Sequence, residues 1–83
     1  SAENDVYSVE SEYEQKAEVG EIQKALGKIR EPLRSCLILK QQGLSYREIA
    51  NALEIKETSI GTYVARARQE FLRFYGRKGG EEL

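Results

Sequence analysis

Residues 44–71 read LSYREIANALEIKETSIGTYVARARQEF, and the punctuation inside this run decides the fold. Ser45 followed three residues on by Glu48 makes a capping box, in which a hydroxyl and a carboxylate satisfy orphan N–H groups at a helix start. Tyr46, Ile49, Ala50 and Leu53 then fall on one face of the helix so begun. The three residues Glu54, Ile55 and Lys56 leave room only for a bend, and a second helix is expected from Glu57 to about Tyr75. At about 100° per residue from Ile60, the side chains of Val64, Ala67, Phe71 and Phe74 lie within about 40° of one direction. Thr58, Ser59, Thr62, Arg66, Gln69 and Arg73 lie on the other side. Two short helices joined by three residues, with small Ala50 permitting a close crossing and Ile55 pinning the corner, have the helix-turn-helix layout. The second helix then projects hydroxyls, an amide and guanidiniums, groups suited to base edges and phosphates in a major groove.

Upstream, REPLRSCLILKQQG predicts a helix over Pro32 to Gln42: proline suits the first turn, residue 33 and residues 36–39 are apolar, and Gly43 suits the stop. Before it, Ser11 and Glu14 form another capping-box pattern, and Val19, Ile22, Leu26 and Ile29 recur at helical spacing, predicting a helix over Glu12 to Lys28 that Gly20 could split. No strand pattern and no repeat is visible. The expected fold is an all-α, small four-helix domain containing a helix-turn-helix, spanning residues 12–76. A flexible linker or tail is expected at 1–11 and a disordered tail at 77–83.

At 83 residues the chain is one domain of a size that leaves little room for a deep catalytic cleft. Its formal charge of -1 conceals an asymmetry: residues 1–31 hold eight acids and four bases, whereas residues 32–83 hold six acids and nine bases. Within 56–78, six bases (Lys56, Arg66, Arg68, Arg73, Arg77, Lys78) face only Glu57 and Glu70, an excess that favours a polyanion. The chain has no histidine, which excludes imidazole bases, His-dependent triads and His-based zinc sites. Cys36, the single cysteine, sits in the apolar run SCLIL and reads as an inert buried thiol suited to a reducing cytoplasm. No membrane span or export signal is apparent. Neither enzymatic activity nor a cofactor, metal or small-molecule substrate is expected.

The residues carry a resemblance more specific than a helix-turn-helix. Pro32, Arg34, Leu37 and Leu39, then Gly43, Leu44, Ser45, Tyr46, Glu48, Ile49 and Ala50, then Ser59 and Ile60, then Arg66, Ala67 and Arg68 match the pattern of the fourth conserved region of bacterial sigma factors. The extracytoplasmic-function group is the nearest in kind, and the similarity covers roughly residues 20–75. The resemblance implies a domain that binds the minus-35 promoter element with its last long helix, docks on the beta-flap of core RNA polymerase, and is a frequent target of anti-sigma factors.

Two departures stand out. Glu54 occupies a turn position where the family commonly has glycine, so positive φ is expected at a cost of about 1 kcal/mol. Gly61 and Tyr63 stand where relatives often carry Lys and Arg. A glycine inside a helix costs roughly 0.8 to 1 kcal/mol against alanine, and it is either a tolerated defect or an opening for a sugar-phosphate rail or another helix. Lys56 has no acceptor with which to cap the last helix, leaving Thr58 or Ser59 to do so.

The expected DNA-binding residues are Ser45, Arg47, Lys56, Thr58, Ser59, Thr62, Tyr63 and Arg66. For Tyr63 both packing and base contact stay open, and Ser45 has its capping role regardless of DNA. Arg68, Arg73, Arg77 and Lys78 read as solvated or phosphate-tracking, and Phe71, Phe74 and Tyr75 as core. Leu33, Leu37 and Ile38 are expected to contact polymerase or an anti-sigma factor, since with Leu39 they are apolar around more than one face; a compact helical core accounts for them equally. Two other functions fit: a helix-turn-helix output domain of another transcription regulator, and an interaction module that no longer binds DNA.

Overall fold

The computed structural model describes residues 17–76. Four α-helices follow one another: α1 over 17–27, α2 over Leu33–Gln41, α3 over Tyr46–Leu53 and α4 over Glu57–Phe71, the last passing into one π-helical turn at Leu72–Gly76. No strand occurs among the described residues. The capping pair Ser11 and Glu14, the expected start of α1, and both expected tails lie outside them. Gly20 does not split α1, which runs through it. Burial along its apolar stripe grades from exposed Val19 through half-buried Ile22 and Leu26 to buried Ile29, so α1 meets the core at its C-terminal end.

Each later helix begins and ends on a local device. At the head of α2 the Glu31 carboxylate accepts from the Ser35 N–H at 2.8 Å and from the Ser35 hydroxyl, with Arg34 Nε 3.5 Å away. Its tail closes with Leu44 N–H donating to the Leu39 carbonyl at 3.2 Å and Gly43 N–H to that of Lys40 at 3.0 Å, the paired bonds of a Schellman motif. Gly43 sits at φ 97°, where a side chain would be strained. The expected box at α3 is present in both directions: Ser45 Oγ accepts from Glu48 N–H at 3.1 Å and Glu48 Oε1 accepts from Ser45 N–H at 2.8 Å.

α3 ends at Glu54, which takes the left-handed conformation foreseen for it (φ 58°, ψ 45°), and Ile55 N–H reaches back to the Ala50 carbonyl at 3.0 Å. That bond turns the chain sharply into α4. Lys56 at the head of α4 supplies no side-chain bond; instead Ser59 N–H donates to the Lys56 carbonyl at 3.0 Å.

Two clusters make the core. Cys36, Ile49, Ala50, Ile60 and Val64 lock α2, α3 and α4 together, with Leu39, Leu44, Leu53, Ile55 and Tyr63 packed around them. Ile29, Leu37 and Ala67 form the second, supported by Leu26, Leu33, Phe71 and Phe74, and it ties α1 and the far end of α4 to α2. Cys36 is fully buried; burial, and secondarily the Glu31 charge, pushes its thiol above the usual range, which suits packing rather than reactivity. The α-helical register was expected to reach Tyr75 but ends at Phe71. In the wider turn that follows, Tyr75 stacks on Phe71 with centroids 5.3 Å apart, and Lys28 and Arg73 flank the Phe74 ring at 5.7 and 5.8 Å.

Candidate nucleic-acid interface

α4 is clamped along one side and free along the other. Ile60, Val64 and Ala67 are buried, whereas Thr58, Thr62, Ala65, Arg66, Gln69 and Arg73 are exposed. The anchoring is apolar and comes from α2 and α3, so the polar strip stands out from the body of the domain rather than folding back on it. Ser59 is half-buried at the edge of this strip, and Lys56 stands exposed at its head. Ser45 and Arg47, at the start of α3, are exposed as well, with the Ser45 hydroxyl already engaged in its cap.

Tyr63 is half-buried and packs against the first core cluster, so the packing contact is the one it makes within the domain. Of the basic run, Arg77 and Lys78 lie outside the described residues. Phe71 and Phe74 pack against the second core cluster as foreseen, whereas Tyr75, also expected in the core, is half-buried and stacks on Phe71.

Tyr46 departs from its expected place. Instead of sharing the buried face of α3 it is 41% exposed, and its ring lies across Gly61: a Cβ built on that glycine would meet the ring at 3.5 Å. Lys40 Nζ stands 5.0 Å from the centroid of the same ring and donates to the Leu44 carbonyl at 3.2 Å. Gly61 is therefore covered by an aromatic from the preceding helix, although 3.5 Å is an ordinary contact and space alone does not demand glycine. The tyrosine's position one residue after an N-cap, at the rim of its helix, was the available signal; the register against α4 was not visible in sequence.

A groove of about 660 Å³ opens between α1, α2 and the end of α4. Ile22, Leu26, Leu37, Ile38, Phe71 and Leu72 supply its apolar wall, and Arg68 with Gln41 and Gln42 its polar rim. The three leucine and isoleucine residues expected to meet a partner separate here. Leu33 packs on the second core cluster, Leu37 is 5% exposed and belongs to that core while touching the groove floor, and Ile38 is 36% exposed on the groove wall.

An all-helical domain of this layout, with a corner locked by Ile49, Ala50 and Ile60 and a polar helix face held outward, defines a helix-turn-helix DNA-binding domain. The chain matches the family Sigma-70, region 4, over residues 20–71. The match covers more than half of the chain, and the protein belongs to that family, the non-catalytic part of sigma factors that binds promoter DNA and RNA polymerase in transcription initiation. Comparison with curated proteins and with solved structures returned no match. No helix among the described residues is long and apolar enough to cross a membrane.

Proposed function

We propose that this domain serves a sigma factor of the extracytoplasmic-function group in the cytoplasm, reading the minus-35 promoter element with α4 while its opposite side holds core RNA polymerase. The observation that carries this reading is the division of α4 into a buried side (Ile60, Val64, Ala67) and an exposed one bearing Thr58, Thr62 and Arg66. A helix held by its apolar side and bare on its polar side is the form a major groove receives. Ser59 borders the base-facing strip, and Tyr63 lies nearer the buried side of the helix. Lys56, Arg47 and the start of α3 at Ser45 flank it as phosphate contacts, which set register without reading sequence.

The apolar groove walled by Ile38 and Leu72 is the proposed seat of the beta-flap of polymerase or of an inhibitor helix from an anti-sigma factor. Leu37 lines the floor of the same groove, and Leu33 packs on the second core cluster.

Fluorescence anisotropy with labelled promoter duplexes tests the DNA assignment. Each phosphate neutralised lowers the slope of log K against log salt by about 0.9, so a steep negative slope is expected, together with weakening on Arg66→Ala. A flat salt response would remove the assignment and favour an interaction module, to which the missing cations at Gly61 and Tyr63 also point.

A further inference from the structure

We infer that the acidic stretch ahead of α1 folds back along that helix and seats Tyr7 and Val9 on the apolar groove of this same domain, which the chain thus covers until a partner displaces it. The occupancy is independent of the promoter-reading assignment; only the competition with polymerase rests on the docking role proposed for the groove.

The groove suits an occupant with apolar side chains and a carboxylate. Ile22, Leu26, Ile38 and Leu72 wall it, and among the described residues lining it Arg68 is charged and none is acidic. The apolar stripe of α1 runs one turn further back, to Val19, which is 50% exposed. Ile38 and Leu72 are open as well, so apolar surface from three elements borders one space of about 660 Å³.

Residues 1–16 carry the complement. Glu3, Asp5, Glu10, Glu12 and Glu14 stand against Lys16 alone, with Val6, Tyr7, Val9 and Tyr13 between them. Alternate residues of an extended run share one side, so Asp5, Tyr7 and Val9 face together. Laid antiparallel to α1, that side brings Val9 to Val19, Tyr7 to Ile22 and the groove, and Asp5 toward Arg68. The reach suffices: with α1 beginning at Glu12, Ile22 stands about 15 Å along the helix, and residues 5–11 in extended form cover about 23 Å. Other occupants fit less well. Residues 77–83 offer a single apolar side chain, Leu83. A second copy in a two-fold pair would present the same patch to itself, Arg68 included, with no acid on the lining to meet it.

The test places a nitroxide on the 83-residue chain through Ser8→Cys and records amide NMR signals before and after reduction of the label. Ser8 lies on the opposite side of the extended run from Tyr7 and Val9, and Cys36 is fully buried, which leaves the new thiol as the one to be labelled. Loss of the Ile38 and Leu72 signals is expected, residues on α2 and beyond α4 that chain connectivity does not bring near residue 8. In the labelled chain that also carries Tyr7→Ser and Val9→Ser, both signals should return. Retention of both signals in the singly substituted chain, equal loss in the two chains, or broadening confined to Thr58, Thr62 and Arg66 overturns the occupancy.

A polymerase pull-down with unlabelled protein tests the competition. Tyr7→Ser with Val9→Ser is expected to tighten capture about tenfold, the gain when a site open about a tenth of the time becomes fully open. Unchanged capture alongside the expected NMR result overturns the competition and removes the groove as the polymerase seat, while the occupancy stands.

Discussion

Glu54 adopts φ 58°, the conformation that costs an L-residue roughly 1–2 kcal/mol and glycine nothing sterically. Its side chain is exposed, so no packing offsets the strain. Glu54→Gly is expected to stabilise the domain by about 1 kcal/mol after glycine's greater loss of chain entropy, raising the melting temperature by about 4–8 °C in a protein of this size. Gly61 presents the opposite case. Its backbone is helical, a Cβ would meet the Tyr46 ring at an ordinary 3.5 Å, and Gly61→Ala should gain up to about 0.8–1 kcal/mol. Thermal unfolding of the two single variants and the double variant checks both. The bend was legible in the sequence because only three residues join the two helices, and the positive φ at Glu54 was what the family resemblance implied, since glycine is common at that turn position. The cover over Gly61 was not legible, since it depends on how α3 crosses α4.

At the scale of elements, the helix ends carry the ionisable chemistry of the fold. The Ser45 N–H, and to a lesser degree the Ser45 hydroxyl, hold the Glu48 carboxyl below its usual 4.5. Glu31 is lowered likewise, chiefly by the Ser35 hydroxyl. Both carboxyls bind protons more weakly folded than unfolded. Their contribution is therefore present above the ordinary carboxylate range and lost as pH falls through the depressed folded values. Denaturation midpoints measured from neutral pH down to about pH 3 should decline through this window, and Glu48→Gln should make the decline shallower. Ser45→Ala removes the other half of the box and is expected to cost about 1 kcal/mol at neutral pH. The Ser45–Glu48 box was readable from sequence because donor and acceptor lie three residues apart, whereas the Glu31–Ser35 pairing at the head of α2 was not expected and came from the structure. The π turn after Phe71 was not readable either, because the helical stripe of Phe71 and Phe74 continues unbroken through it.

Across the whole molecule, the apolar residues of α2 divide by tertiary position into two kinds of consequence. Leu37 is core, and truncating it to alanine should cost about 2–5 kcal/mol, a large share of what a small domain has. Ile38 at 36% and Leu72 at 65% exposure contribute far less to folding. Ile38→Asp combined with Leu72→Asp is expected to keep the melting temperature within a few degrees of wild type and to leave duplex binding unchanged. Polymerase capture in a pull-down should be lost. Retained capture would move the docking surface away from the groove, and a collapsed melting transition would show these residues to be structural.

What the sequence determined by itself was everything set within a few residues: the caps at Ser45 and Gly43, the reversal at Glu54, and the stripe that makes Ile60, Val64 and Ala67 the buried side of α4. Those depend on local hydrogen bonds and on helical periodicity, which neighbouring residues encode directly. Only the tertiary structure decided that Tyr46 covers Gly61, that Tyr63 packs against the core, and that Ile38 faces an open groove while Leu37 is enclosed. Adjacent leucine and isoleucine side chains have nearly the same hydrophobicity, so which is left facing solvent follows from where α1 and α4 pass over α2, a matter of packing geometry between distant segments.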